Sequence, residues 1–174
     1  MFTFKGKTAS EMGINVLPFS RTLRAEKRLV QTYIQGRDGT YDWTDGTYAN
    51  GRIEIPCRYF GSTAPESLRT VAAWLNGSGD LSFADEPDKH YRATMIGSIT
   101  REQMLFEDSF TLTFSVFPFA LGAKQTVTAD LTQSGGSITA NVDGNADTPP
   151  RITFKNTGNA TIDNLVITVT LPVQ

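Results

Sequence analysis

The stretch Phe106-Glu107-Asp108-Ser109-Phe110-Thr111-Leu112-Thr113-Phe114-Ser115-Val116 decides the fold class. Phe106, Phe110, Leu112, Phe114 and Val116 fall on one side of a period-two pattern, and Glu107, Ser109, Thr111, Thr113 and Ser115 fall on the other. Neighbouring strand side chains point to opposite faces, so the pattern predicts a strand in a sheet with one dry and one wet face. Asp108 sits on the apolar side and moves the expected start to about Ser109.

Outward from this strand, Gly, Asn and Asp punctuate runs of β-branched and aromatic residues, as in a mostly antiparallel β-protein. Asp38-Gly39, Asp45-Gly46 and Asn50-Gly51 are the clearest expected turns, because such pairs supply positive φ. Lys27 to Gln35 and Arg52 to Phe60 read as strands, with a turn-rich connection around Tyr41, Trp43 and Tyr48. One helix is predicted: Thr63 and Glu66 have capping-box spacing, Pro65 lies in the first turn, and Leu68, Val71, Ala72 and Leu75 share a face. Asn76-Gly77 ends it, and its apolar stripe is expected to pack across a sheet.

From Ala123 the chain is rich in Thr, Asn and Gly, and no Trp, Tyr, His or Cys follows Tyr91. Two domains are expected, 1–119 and 120–174. The second would be part of a β-sandwich, with strands at Ser137 to Val142, Arg151 to Lys155 and Thr161 to Leu171. Asp143-Gly144-Asn145 and Asn156-Thr157-Gly158-Asn159 read as its loops, and Thr132 to Gly136 as another.

Composition excludes several classes. The formal charge of −2 is unlike the basic excess of a dedicated nucleic-acid binder. No apolar run approaches the roughly 18 to 20 residues that span a bilayer, and Met1 to Gly13 lacks the apolar stretch of a secretion signal. Membrane insertion is therefore not expected, and synthesis in a cytoplasm is. Cys57 is the single cysteine, which leaves no internal disulfide, and Ile53 to Tyr59 reads as a strand that buries it as a small hydrophobe.

Chemistry is sparse. His90, the one histidine, lies among Asp85, Glu86, Asp88 and Lys89, which reads as a charged turn before a strand starting at Tyr91 rather than a metal site. Gly77-Ser78-Gly79 is not a nucleophile elbow, and Gly36-Arg37-Asp38-Gly39 lacks the length and lysine of a phosphate loop. No enzyme, cofactor or metal is expected. Arg21, Arg24, Lys27 and Arg28, broken by Glu26, read first as a solvated strand edge that discourages indiscriminate pairing, second as a subunit contact with an acidic neighbour and third as a nucleic-acid contact. Phe154 is the only aromatic residue after 120 and alternates with Ile152 as a core residue would, which argues against a lectin site there.

Several segments, in order, resemble the distal tail protein (Dit) family of siphophages. They are Phe4-Lys5-Gly6, Met12-Gly13-Ile14, Gln35-Gly36-Arg37-Asp38-Gly39-Thr40-Tyr41, Ala73-Trp74-Leu75, and Leu81 to Ala93. Phe114-Ser115-Val116-Phe117-Pro118-Phe119 is similar to the last strand of that family's amino-terminal domain. The resemblance implies a mainly β (β-rich α+β) fold: an amino-terminal β belt domain with one helix, then a partial galectin-like β-sandwich. About 55 residues after 120 are few for a whole sandwich, so either the chain is cut short or that domain is reduced.

The function it implies is structural: a ring, hexameric in the family, that joins the tail tube to the host-adsorption apparatus of a phage or prophage tail tip. Partners would be further copies of the chain, the tail tube, a tail-associated lysin or fibre, and receptor-binding proteins, with DNA passing through the lumen unbound. Assembly would take place in the host cytoplasm. Subunit contacts are expected from Arg28, Val30, Thr32, Ile34, Arg37, Asp38, Arg52, Glu54 and Arg58, on the strands Lys27 to Gln35 and Arg52 to Phe60 taken as one hairpin. Two other readings stay open: a host-surface or carbohydrate-binding module, and a cell-wall hydrolase.

Overall fold

The computed structural model describes residues 1–131, 136–142, 144–146, 148–163 and 165–170. The chain divides into two compact units, Met1–Val142 and Asp143–Gln174. The first holds a seven-stranded antiparallel sheet, a two-stranded ribbon and two helices, so the molecule is mostly β as expected.

In chain order the elements are β1 (Phe2–Phe4), β2 (Lys7–Thr8), β3 (Ile14–Val16), β4 (Gln31–Tyr33), β5 (Thr40–Asp42), β6 (Gly51–Tyr59), α1 (Pro65–Leu75), β7 (Ser78–Phe83), β8 (Glu86–Met95), α2 (Arg101–Phe106) and β9 (Phe110–Val116). The large sheet runs β2-β1-β7-β8-β9-β6-β3. Its edge strands β2 and β3 are consecutive in the chain and joined by a tight turn in which Ile14 N–H donates to Ala9 O at 2.9 Å. The sheet therefore curls around its apolar face.

That face carries the core. Phe110, Leu112, Phe114 and Val116 of β9 are buried beside Ile53, Ile55 and Cys57 of β6, with Phe2, Phe4 and Leu81 completing the centre. The alternation in β9 is borne out, with one exception on the wet face. Thr113 is buried where the chain leaving β8 passes its side chain, a Cβ on Gly97 standing 3.6 Å from the Thr113 Cβ. The β1–β2 turn is made by Lys5 and Gly6 at φ 49° and 74°, the mirror-image geometry that suits a two-residue hairpin.

Gly13 sits at φ 70° where a Cβ would stand 2.7 Å from Gly61 Cα, and its carbonyl accepts from Phe60 N–H at 2.9 Å. Only glycine satisfies both the angle and the close approach.

Helix α1 forms where expected, with details that differ. It starts at Pro65, so Ala64 is its N-cap and the Thr63–Glu66 capping box does not form; no side chain caps it. Its buried residues are Leu68, Val71, Trp74 and Leu75, while Ala72 is exposed, because the sheet contact is centred on the indole of Trp74. Asn76 is the C-cap and Gly77 follows at φ 80°, as expected.

Helix α2 was not foreseen. Thr100 and Gln103 form a reciprocal capping box, Thr100 N–H donating to the Gln103 side chain at 2.9 Å and Gln103 N–H to Thr100 Oγ1 at 3.1 Å. Phe106 thus ends a helix and is exposed, so the strand begins at Phe110.

Strand pairing needs the largest correction. Lys27 to Gln35 is not one long strand paired with Arg52 to Phe60. It contributes β4, which pairs with β5, while β6 pairs with β3 and β9. The nearer partner across a short turn closes a smaller loop and wins. Asp38-Gly39 and Asp45-Gly46 do make turns with glycine at positive φ, but Gly51 is the first residue of β6 rather than a turn. β8 begins at Glu86 instead of Tyr91, since the tight turn needs only Ala84 and Asp85.

After Val116 the described residues form no strand, only an isolated bridge between Leu121 and His90. The strands expected at Ser137 to Val142 and Arg151 to Lys155 do not form, and neither does that at Thr161 to Leu171 over its described part. Alternation alone gives these segments no hydrogen-bonded partner. Most of the Thr132 to Gly136 loop, Asp143, Asn164 and 171–174 lie outside the described residues. In the second unit Asn156 holds a turn: its Oδ1 accepts from Gly158 N–H at 2.9 Å, and its Nδ2 donates to Ala160 O at 2.8 Å.

Candidate subunit interface

The segment between β3 and β6 folds into a ribbon that belongs to no other sheet. Ala49 N–H donates to Glu26 O at 2.9 Å, Lys27 bridges Tyr48, Arg28 N–H donates to Thr47 O at 3.0 Å, and Trp43 N–H donates to Val30 O at 2.8 Å. The β4–β5 ladder continues this zipper, and Gly36 and Gly39 at φ 82° and 76° shape the tip. Together these make an arm of about ten residues per strand, on the order of 30 Å long.

Register decides what the arm presents. Thr32 lies opposite Tyr41, and Val30 is bonded across to Trp43, so Val30, Thr32, Ile34, Tyr41 and Trp43 share one face. That face is apolar and open: Trp43 is 65% exposed, Val30 55% and Ile34 44%. Tyr41 and Trp43 touch at 4.5 Å between ring centroids, and the Arg37 guanidinium lies 5.7 Å from the Tyr41 ring. A two-stranded ribbon with an uncovered apolar face is marginal in water by itself.

Two aspartates stiffen the returning strand. Asp42 Oδ1 accepts from Thr44 N–H at 2.8 Å and from the Thr44 hydroxyl, while Asp45 Oδ1 accepts from Thr47 N–H at 2.9 Å and Thr47 Oγ1 at 2.7 Å. These threonine hydrogen bonds hold both carboxyls below the ordinary 3.8. At the root, Lys27 Nζ lies 5.9 Å from the Tyr48 ring, and Tyr48 meets Phe119 edge-on at 5.1 Å.

The nine residues expected at a subunit contact are all exposed, and they fall into two groups. Arg28, Val30, Thr32, Ile34, Arg37 and Asp38 belong to the arm. Arg52, Glu54 and Arg58 line the wet face of β6, where Arg52 Nε and Glu54 Oε1 pair at 2.8 Å and Arg58 Nε donates to Asp108 O at 2.7 Å. Tyr41 and Trp43 were not among the expected contacts. Their i, i+2 spacing was visible, but their sharing a face with Val30 depends on a register across the turn.

The remaining chemical candidates have structural roles. Arg21 forms ion pairs with Asp85 and, at 3.0 Å, with Glu86, and its guanidinium lies 4.2 Å from the Phe83 ring. Asp88 pairs with Lys89 at 2.9 Å. The acids around His90 are therefore committed to cations. Among the described residues no three His, Cys, Asp or Glu side chains are grouped to hold a metal ion, and no helix is long and apolar enough to cross a membrane. Burial pushes the Cys57 thiol up to about 12, which makes it inert as a nucleophile at neutral pH.

Residues 7–116 match the family described as the phage tail protein RIFT-related domain. Among solved structures, the Dit protein (gp 19.1) of phage SPP1, described as a paradigm of the hub adsorption apparatus in phages infecting Gram-positive bacteria, superposes with a TM-score of 0.56 at 18% identity. The match covers 70% of this chain and 51% of that one, so the likeness is one of fold, and this chain spans about half the length of that protein. No curated protein matches the chain.

Proposed function

Since the chain belongs to the phage tail protein RIFT-related domain family, we propose that it is a non-enzymatic structural hub of a phage or prophage tail tip. Copies assemble into a ring, hexameric by the resemblance, that joins the tail tube to the adsorption apparatus. The observation that carries this reading is the arm: a ribbon whose apolar face of Val30, Ile34, Tyr41 and Trp43 has no cover in its own chain among the described residues. Apolar surface left open on a soluble domain marks a place where another protein sits.

The nine expected contact residues take part in the ring interface, Arg28, Val30, Thr32, Ile34, Arg37 and Asp38 through the arm and Arg52, Glu54 and Arg58 through β6. Residues 120–174 take the place of the family's outward domain in this reading, without a sandwich strand among the described residues. A formal charge of −2 suits a lumen that lets DNA pass without holding it.

An antibody against the chain tests the placement on virions of the source phage. Labelling confined to the tail end far from the capsid is expected; labelling along the whole tube, or none on virions, contradicts it. A second reading, a host-surface or carbohydrate-binding module, has one observation in its favour: the adjoining exposed rings of Tyr41 and Trp43. Binding to a glycan array that is lost in Trp43→Ala would establish it.

A further inference from the structure

Resting on the ring reading, we infer that the arm of one copy docks on the far end of the next copy's sheet, around Phe60 and Phe106. The arm is rooted at one end of the large sheet, and the two phenylalanines lie at the other. β6 opens at Gly51 beside Val116 and pairs with β9 as far as Cys57 beside Phe110. The arm closes at Ala49, two residues before β6, whereas Phe60 follows β6 directly. Phe106 belongs to the Phe60 end, because it lies two residues before Asp108, whose carbonyl accepts from Arg58. Phe60 is 60% exposed and Phe106 81%. Two large rings left open at one end answer an apolar stripe left open on the arm rooted at the other.

Charge favours the same pairing. The arm root carries Arg24, Lys27 and Arg28 against Glu26 and Asp45; Arg28 attracts the Asp45 carboxylate, and none of the three bases makes an ion pair among the described residues. The acceptor end carries Glu102, Glu107 and Asp108 against Arg101 and Arg58; Arg58 pairs with Asp108 at 3.6 Å, which leaves Glu102 and Glu107 unpaired. Reach fits too, since an arm of about 30 Å matches the length of nine-residue β6 and so spans a neighbour's sheet from end to end. A surface that meets a different surface on the next copy is head-to-tail, the arrangement that closes into a ring.

The test uses two full-length variants, Trp43→Asp with a disabled arm and Phe106→Asp with a disabled acceptor, each checked for wild-type circular dichroism. Both positions are exposed, so folding is expected to survive. Sedimentation velocity over a concentration series should find each variant alone at single-copy mass where the wild type assembles. Mixed in equal amounts they should give a two-copy species and nothing larger, because each supplies the face that the other lacks. Wild-type assembly by Phe106→Asp overturns the docking and leaves the ring standing. A Trp43→Asp defect that mixing does not restore overturns it in favour of arm-to-arm contact. A wild type that never assembles overturns the ring reading itself.

Discussion

The indole nitrogen of Trp74 donates a 2.7 Å hydrogen bond to the backbone carbonyl of Phe4, tying α1 to β1 across the chain. The same indole stacks on Phe2 at 6.0 Å and meets Phe4 edge-on at 6.1 Å. Helix, first strand and the centre of the core are thus fixed by one side chain. Trp74→Phe keeps a ring in the core but leaves the carbonyl without this donor. We expect a loss of about 1–3 kcal/mol, read from urea unfolding, with the secondary structure intact.

Gly13 and Gly39 separate conformational strain from crowding. Both have positive φ, but only Gly13 lacks room for a Cβ, which would meet Gly61 backbone at 2.7 Å. Gly39→Ala should cost about 1 kcal/mol. Gly13→Ala should cost clearly more, on the order of 2–3 kcal/mol, because backbone has to move. Equal losses in chemical denaturation would show that the Gly13–Gly61 approach does not constrain the chain.

Cys57 predicts an alkaline limit to stability. Its folded-state thiol is pushed up to about 12 from an ordinary 9.0, so the unfolded chain ionises first as pH rises. The stability it contributes is fully present below about pH 9 and is lost between there and 12. Burial raises Tyr59 and Tyr91 in the same sense. Thermal melts should show wild type losing more stability between pH 7 and pH 11 than Cys57→Ala, which starts about 1–2 kcal/mol lower from the lost packing.

The arm should loosen in acid. Asp42 and Asp45 have carboxyls held below 3.8 by Thr44 and Thr47, so the support they give is present above that value and is lost as pH falls through their lower folded values. Amide exchange at Thr44 and Thr47, referred to β9 amides, should accelerate as pH drops below about 4, and Asp45→Ala should show faster exchange at Thr47 already at neutral pH. Unchanged relative protection in the variant would remove the Asx turns from the account of arm stiffness.

Local patterns carried most of what was legible in the sequence. The alternation of Phe110 to Val116, the helix around Leu68 and Val71, and the turns at Gly39 and Gly46 depend on neighbours a few residues apart. Partner choice does not. Nothing in Lys27 to Gln35 states that it pairs with Thr40–Asp42 rather than with β6, since register is fixed by turn closure and by which face finds cover. α2 is six residues long, too short for periodicity to show, although Thr100 and Gln103 carried its signature. At the candidate interface, Val30, Thr32 and Ile34 were legible as an alternating strand. Tyr41 and Trp43 joined them only once the hairpin register placed all five on one face.

Assembly state tests the central claim most directly. Light scattering on wild-type chain after size exclusion, with negative-stain images of the main peak, should find a closed ring of about six times the 19.1 kDa of one chain. A single-copy mass at every concentration, with no ring in the images, would contradict it.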